Sequence, residues 1–159
     1  MKSIKPRREF MVAAIRQAER AKQKGDYAIG AVLVRGNTII AAANNRSKVD
    51  ENPIGHAELL AILRGSRILK HRHLTDCVLY TTHEPCPMCA SVAVWARLKG
   101  IVYGSRISDM RNHRLSHGNR DHLWRTIEIS CAEVIRKSTE EIPLAKNFMR
   151  KECIKLFHS

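Results

Sequence analysis

Two cysteines separated by two residues are the chemically most informative feature of the sequence. Cys86 and Cys89 occur in the stretch Pro85-Cys86-Pro87-Met88-Cys89. This stretch is predicted to open a helix, because a proline is tolerated where its missing N–H does no harm. At a helix start, the unpaired N–H groups lower the pKa values of both thiols, and thiolates are natural zinc ligands. Zinc takes about four ligands in a tetrahedron, so a further ligand must come from elsewhere in the chain.

His56 is the best candidate for the third ligand, and Glu58 follows it by two residues. A zinc ion with three protein ligands keeps a fourth position for water, whose pKa the metal lowers toward about 7. A carboxylate beside that water, but not on the metal, can pass the water proton to a ring nitrogen and to a leaving amine. The pattern predicts a catalytic zinc site with His56, Cys86 and Cys89 as ligands and Glu58 as the proton carrier.

Other interpretations of the cysteines are weaker. A redox dithiol would need a thioredoxin-like context, and a structural four-cysteine zinc site would need a second close pair; the sequence contains neither. Cys77, Cys131 and Cys153 are isolated, and we interpret them as buried thiols of a reducing compartment.

Length and charge set the broad class. The 159 residues fit a single domain, residues 1–159, with 44% hydrophobic and 27% charged residues. No apolar run approaches the ~20 residues of a membrane span, and no signal core follows the basic N-terminus, so a cytoplasmic protein without membrane contact is expected. The net charge of +13 favours a polyanionic partner, although a basic surface that only maintains solubility has the same charge.

Hydrophobic periodicity predicts alternating helices and strands in a single-sheet α/β fold with helices on the sheet faces. Helices are predicted at 8–24, 56–63, 85–98 and 145–157. Strands are predicted at 29–34, 38–43, 77–82, 101–103 and 126–130, and the first two form a hairpin. Residues 105–125, rich in His, Arg and Asn, are predicted to be a long loop, and long loops are uncommon unless functional or mobile.

Together the His56-Ala57-Glu58 and Pro85-to-Cys89 motifs resemble those of the cytidine-deaminase-like superfamily, in the branch of tRNA adenosine, guanine and cytosine deaminases. The resemblance covers roughly residues 10–103 and, more weakly, the C-terminal helix. It implies a three-layer α/β/α fold with a five-stranded mixed sheet. It also implies an assembly of two or more subunits. An apolar face around Val92, Val94 and Trp95 favours a homodimer.

The same resemblance implies roles for individual residues. His56, Cys86 and Cys89 would bind Zn²⁺, and Glu58 would carry protons. The Asn45 side chain would hydrogen-bond the base. The Ala57 N–H and the Glu84 C=O would contact the edge of the substrate.

Three functions remain open at this stage. The leading one is deamination of adenosine to inosine in tRNA, supported by the net charge, the basic segment 111–125 and a C-terminus like that of bacterial tRNA adenosine deaminases. The second is deamination of a free base or nucleoside, because Pro87 and Trp95-Ala96-Arg97 look like guanine deaminases, although Trp95 could equally pack in the core or a dimer. The third is a catalytically inactive, zinc-bearing partner subunit, against which the presence of Glu58 argues.

The segment 105–125 contains three histidines, which allow two further interpretations. His113, His117 and His122 could form a second metal site, but scattered surface imidazoles are far more common.

Overall fold

A computed structural model describes residues 3–157, in which six helices alternate with five strands. The elements are α1 (Arg8–Gln23), β1 (Gly30–Arg35), β2 (Thr38–Asn44), α2 (Ala57–Leu69), β3 (Cys77–His83), α3 (Pro87–Trp95), β4 (Gly100–Ser105), α4 (Ile107–His117), α5 (Cys131–Arg136), β5 (Leu144–Ala145) and α6 (Arg150–Ile154). No helix within residues 3–157 is both long and apolar enough to cross a bilayer.

The five strands form one mixed sheet in the order β2-β1-β3-β4-β5. β1 is antiparallel to both β2 and β3, whereas the β3–β4 and β4–β5 pairs are parallel. β2 and β3 therefore run in the same direction, on either side of β1. The five-stranded mixed sheet implied by the family resemblance is confirmed.

Alternate residues of each strand bury opposite faces of this sheet, which gives the three layers. On β1, Ala31 and Leu33 face a core built with α2, α3 and α5. The next residues, Val32 and Val34, face α1 and α6. Strands buried on both faces are expected where helices cover a sheet on both sides. Ile101 and Val102 on β4 divide between the same two cores.

Two predictions near the C-terminus are wrong. Residues 126–130 are not a strand; most of them are exposed, and the fifth strand is Leu144–Ala145. The closing helix does not cover 145–157, because Asn147 (φ 61) and Met149 (φ 54) adopt left-handed backbone and only Arg150–Ile154 is helical. An apolar stripe alone does not reveal such breaks, because both residues have ordinary side chains for a helix.

The segment predicted as a loop at 105–125 begins with an eleven-residue helix, α4. Its start is stabilised by Asp109, whose Oδ2 accepts a hydrogen bond from the Arg106 N–H at 2.8 Å and from Arg150 Nε at 3.0 Å. Ile107 and Met110 are buried, while most of the remaining side chains are polar. The helix is stabilised by its cap and by tertiary contacts, and its weak apolar periodicity hid it from sequence analysis.

The close packing of α1 on β1 can be tested by adding a side chain at Gly30. Gly30 lies so near α1 that a Cβ atom at this position would overlap Ala14 O and Ala18 N. We expect Gly30→Ala to lower the free energy of unfolding by at least about 2 kcal/mol, because neighbouring backbone must move. Urea denaturation measures this change.

The matched control is Gly36, in the turn between β1 and β2. Its φ is +60°, and a Cβ atom added there would meet no other atom within 4 Å. Asparagine tolerates this conformation, so Gly36→Asn should cost less than about 1 kcal/mol. Equal losses for the two variants would contradict the close α1–β1 packing.

Candidate active site

Two helix starts meet at one edge of the sheet. His56 is the N-cap of α2, and Cys86 is the N-cap of α3, with Cys89 in the first turn of that helix. Both N-caps have extended backbone, so the chain turns sharply into each helix. The sequence prediction that His56 and the cysteines open helices is confirmed. The structure brings together side chains that are thirty or more residues apart in the chain.

The three predicted metal ligands form a compact cluster. His56 Nδ1 lies 3.6 Å from Cys86 Sγ and 3.6 Å from Cys89 Sγ. All three ligand atoms lie within 4.8 Å of one another. Tetrahedral zinc with ordinary Zn–N and Zn–S bonds separates its nitrogen and sulfur ligands by about 3.6 Å. The spacing and the donor atoms therefore fit a zinc ion with three protein ligands, which leaves a fourth position open.

Charge in the cluster favours a cation. Hydrogen bonds from Cys89 and His56 lower the pKa of Cys86 to about 4, so its sulfur is a thiolate. The Cys89 pKa is raised, because its thiol donates to that thiolate and is itself buried. The sequence predicted that both thiol pKa values are lowered. This prediction is confirmed for Cys86 and is wrong for Cys89. A divalent cation would supply the charge that a second thiolate requires.

Glu58 lies in the first turn of α2, next to the cluster, and is only 3% exposed. Its Oε2 is buried and has no hydrogen-bond partner in the described part of the chain. Burial raises the pKa of Glu58 to about 7. A carboxyl group with such a pKa can both accept and release a proton near neutral pH, as a proton carrier must.

Asn45 is held by Asp26, a residue to which sequence analysis assigned no role at the site. Asn45 Nδ2 donates to Asp26 Oδ1 at 2.6 Å and to Ser47 Oγ at 2.8 Å. The second Asp26 oxygen, Oδ2, accepts from the N–H groups of Lys48 and Val49. A fully buried carboxylate therefore organises the loop after β2 and directs the Asn45 amide.

The Glu84 side chain has a structural role that sequence analysis missed. Its Oε2 accepts from the Ile107 N–H at 3.1 Å and its Oε1 from the Cys131 N–H at 3.0 Å. One carboxylate thus joins the starts of α4 and α5 to the end of β3. Ala57 is the first residue of α2 and is fully buried; the N–H groups of a first helical turn have no partner within the helix.

A cavity of about 790 Å³ opens above the cluster. Its walls come from the loop after β2, from the cluster with the end of β3, and from the segment after α4. The lining residues are Tyr27, Ile29, Asn45, Ser47, Lys48, Glu51, Asn52, Pro53, His56, Glu58, His83, Glu84, Cys86, Met88, Ile107, Met110, Arg120, Asp121, Leu123, Trp124, Arg125, Thr126 and Ile127. The described residues of the C-terminal helix contribute nothing to this lining.

The wall at 120–127 is anchored by a buried tryptophan. Trp124 is 1% exposed, and its ring packs against Tyr27 at 4.9 Å and against Phe157 at 5.0 Å between centroids. Its φ of 53° is left-handed backbone that the surrounding packing must maintain. Lys48 Nζ donates to Asp121 O at 2.6 Å and joins this wall to the loop after β2.

The remaining residues singled out from the sequence do not line the cavity, and their contacts differ from those that the sequence suggested. Trp95 is 80% exposed at the end of α3, so it neither lines the cavity nor packs in the core. His113 and His117 stack on each other at 5.3 Å, and His122 packs on Tyr27. Within residues 3–157, the His56 cluster is the one group with metal-ligand geometry, so the histidines form no second metal site there.

Metal content distinguishes the ligand cysteines from the other buried thiols. We expect Cys86→Ala and His56→Ala to lose zinc, because two remaining protein ligands bind it far more weakly. Cys77→Ala is the control: it removes a cysteine thiol that is buried at the opposite end of β3. Plasma emission spectroscopy after dialysis measures bound zinc. Full zinc in Cys86→Ala, or loss of zinc in Cys77→Ala, would contradict the assignment.

Comparison with known proteins places this geometry in a family. Among curated proteins, the tRNA-specific adenosine deaminase of Bacillus subtilis is 42% identical over 96 residues, which are 60% of this chain and 60% of that protein. The tRNA-specific adenosine deaminase of Buchnera aphidicola is 30% identical over 150 residues, covering 94% of this chain and 85% of that protein. The guanine deaminase of Bacillus subtilis is 41% identical over 80 residues, 50% of this chain and 51% of that protein.

A solved structure from a study of A-to-I editing by tRNA:A34 deaminases at the wobble position of transfer RNA superposes with a TM-score of 0.78 at 25% identity. The match covers 95% of this chain and 100% of that one. The family model of the cytidine and deoxycytidylate deaminase zinc-binding region matches residues 4–105, which contain the three predicted ligands and Glu58. By its sequence and its fold, the chain belongs to the zinc-binding cytidine and deoxycytidylate deaminase family.

Proposed function

We propose that the protein is a zinc-dependent hydrolytic deaminase whose substrate is adenosine in tRNA and whose product is inosine. The observation that carries the proposal is the buried Glu58 carboxyl beside the His56, Cys86 and Cys89 cluster, because its Oε2 has no hydrogen-bond partner in the described part of the chain. A purely structural zinc site has no use for such a group, because leaving a buried polar atom unpaired is costly. The same argument weighs against an inactive partner subunit.

In this proposal, each group of the site has one task. His56, Cys86 and Cys89 hold zinc, which when bound supplies Lewis acidity toward water. Glu58 takes a proton from the attacking water and passes it to the ring nitrogen of the base. Glu58 then takes a second proton from the hydroxyl group now bonded to the ring carbon and delivers it to the amine. The carbon–nitrogen bond breaks, ammonia leaves, and the hydroxyl oxygen becomes the carbonyl oxygen of the product. The whole chain acts as one catalytic domain.

Three groups are proposed to orient the base. Both hydrogens of the Asn45 amide are used by Asp26 and Ser47, which leaves the side-chain oxygen for a donor on the base. The Ala57 N–H lies at the start of α2, where it is available to an acceptor on the substrate. The Glu84 carbonyl, at the end of β3, is proposed to accept from the substrate edge.

The form of the cavity supports RNA rather than a free base as the substrate. Its volume of about 790 Å³ leaves room beside a single base, and no described residue of the C-terminal helix closes it. Arg120 and Arg125 are exposed on its wall, as is expected where a nucleic-acid backbone passes. Lys48 and the acidic Glu51 and Asp121 also line the cavity, so the support for a polyanionic partner comes from the two exposed arginines together with the +13 charge of the chain.

A free base is the second candidate substrate. A guanine deaminase is 41% identical over 80 residues, and Pro87 within the cysteine motif resembles that enzyme class. Trp95, the other feature that favours guanine, lies outside the cavity and so gives no support.

We further propose that two copies form a homodimer through the face that carries Trp95. An indole ring that is 80% exposed is unusual on a monomer and typical of an interface. Val92 and Val94, which the sequence analysis grouped with Trp95, are partly buried against the core. They would therefore pack under Trp95 and contribute less to the interface surface.

Replacing the proton carrier tests the chemistry directly. We expect Glu58→Gln to lower the rate of ammonia release from a tRNA anticodon stem-loop by at least about a thousandfold, because general acid–base catalysis is lost. Zinc content should equal that of the wild type, because Glu58 is not a ligand. Turnover at the wild-type rate in Glu58→Gln would remove this residue from the mechanism.

Salt dependence tests the choice of substrate. We expect RNA binding, measured by fluorescence anisotropy, to weaken as salt rises, and the double variant Arg120→Ala/Arg125→Ala to reduce the slope of log K against log salt by about 2. The control Arg72→Ala/Lys99→Ala removes the same charge from exposed positions near the opposite end of β3, and its slope should be unchanged. Rapid guanine turnover without RNA binding would favour the free-base alternative.

A further inference from the structure

His83 is a cavity-lining residue to which neither the zinc cluster nor the proposed proton transfer assigns a task. It is the last residue of β3 and lines the same cavity as Glu58 and Cys86. The side chain is only 6% exposed, and its ring meets that of Phe157 edge-on at 6.0 Å between centroids. It is not part of the metal-binding cluster found among residues 3–157. A buried imidazole in this position requires an explanation.

The hydrogen bonds of the β3–β4 pair assign its tautomer. His83 and Ser105 are register partners, and His83 Nδ1 lies 2.9 Å from Ser105 Oγ. The single hydroxyl proton of Ser105 is donated to Thr82 O at 3.0 Å. Ser105 Oγ must therefore accept from His83, which places a proton on Nδ1 and leaves the lone pair on Nε2. Burial lowers the pKa of His83 to about 4, so the ring is neutral near pH 7.

The second ring nitrogen is consequently an acceptor of fixed orientation. The described hydrogen bonds of the His83 ring end at Ser105, so Nε2 is left for whatever enters the cavity. An acceptor removed from water without a donor is unfavourable, whereas one that meets a donor on the substrate contributes to selectivity. A site built to hydrogen-bond a substrate N–H or O–H rejects analogues that lack it.

We propose that His83 Nε2 accepts a hydrogen bond from an N–H or O–H donor of the target nucleoside and thereby helps to determine which substrates are accepted. The proposal rests on the proposed function, because it presumes a nucleoside in this cavity. His83 is a specificity-determining residue in this view, and Ser105 is a positioning residue that holds the ring. The donor has two sources within an adenosine: the ribose 2′-hydroxyl and the exocyclic amine of the base.

The experiment compares the wild type with His83→Leu, which introduces an apolar side chain of similar bulk without an acceptor, and with His83→Gln, which restores an acceptor. Each protein is given anticodon stem-loops with either a ribose or a 2′-deoxyribose at the target adenosine, and kcat and KM are measured. Ile101→Val, which alters the core away from the cavity, is the control for a general loss of packing. Zinc content and melting temperature confirm that each variant is folded.

For a ribose contact, we expect His83→Leu to lower kcat/KM on the ribose substrate by about 10- to 100-fold and to leave the deoxyribose substrate nearly unaffected. The wild-type preference for ribose then disappears, and His83→Gln restores part of it. For a contact to the base, both substrates lose activity by the same factor in His83→Leu, with partial recovery in His83→Gln. Unchanged kcat/KM on both substrates in His83→Leu would overturn the proposal, as would equal losses in His83→Leu and His83→Gln.

Binding separates this proposal from the proposed function. If the wild type released no ammonia from either RNA, the proposed function would fail. The His83 proposal would still be decided by the anisotropy of the same two RNAs. Weaker binding of an RNA by His83→Leu than by the wild type, with recovery in His83→Gln, would support the contact. Equal affinities of all three proteins for both RNAs would refute it.

Discussion

The common direction of β2 and β3 is the constraint on which the site depends. Because both strands are antiparallel to β1, the helices that follow them begin at the same edge of the sheet. Parallel connections in one sheet are right-handed, so α2 and α3 also cover the same face. Two helix starts are thereby placed side by side, and each brings the residues of one short motif. In open α/β sheets, ligands characteristically bind at the carboxyl ends of strands.

Burial then makes the converging groups reactive. Helix starts favour negative charge, which suits thiolate sulfur. Glu58, in the first turn of the helix that His56 opens, is buried, and burial raises its pKa to about 7, where the carboxyl can accept and release a proton near neutral pH. In an ordinary protein core, unpaired polar atoms and closely spaced sulfur atoms would both be destabilising. A metal ion at the three ligand atoms and a substrate in the cavity would satisfy these groups, as the proposed function requires.

Under the proposed function, substrate selection depends on residues that are distant in the chain from the zinc motifs. Asp26 holds the loop that carries Asn45, and Trp124 anchors the wall at 120–127 through an aromatic cluster. Ser105 fixes the ring of His83 across the β3–β4 pair. The cluster fits the chemistry of the deaminase family, whereas these supporting contacts shape the cavity beside it. Differences between relatives that act on tRNA and on guanine are expected in such supporting residues.

The sequence by itself determined the chemistry and most of the sheet. His56, Glu58, Cys86 and Cys89 were recognisable because metal chemistry needs those residue types at short, local spacings. Helices and strands with strong apolar periodicity were found for the same reason: the signal lies in neighbouring residues. The tertiary structure decided the rest. The fifth strand is only two residues long, α4 depends on Asp109 and Arg150, and the roles of His83, Asp26 and Trp124 arise from contacts between segments distant in the chain. Long-range contacts leave no local pattern, so only the folded chain reveals them.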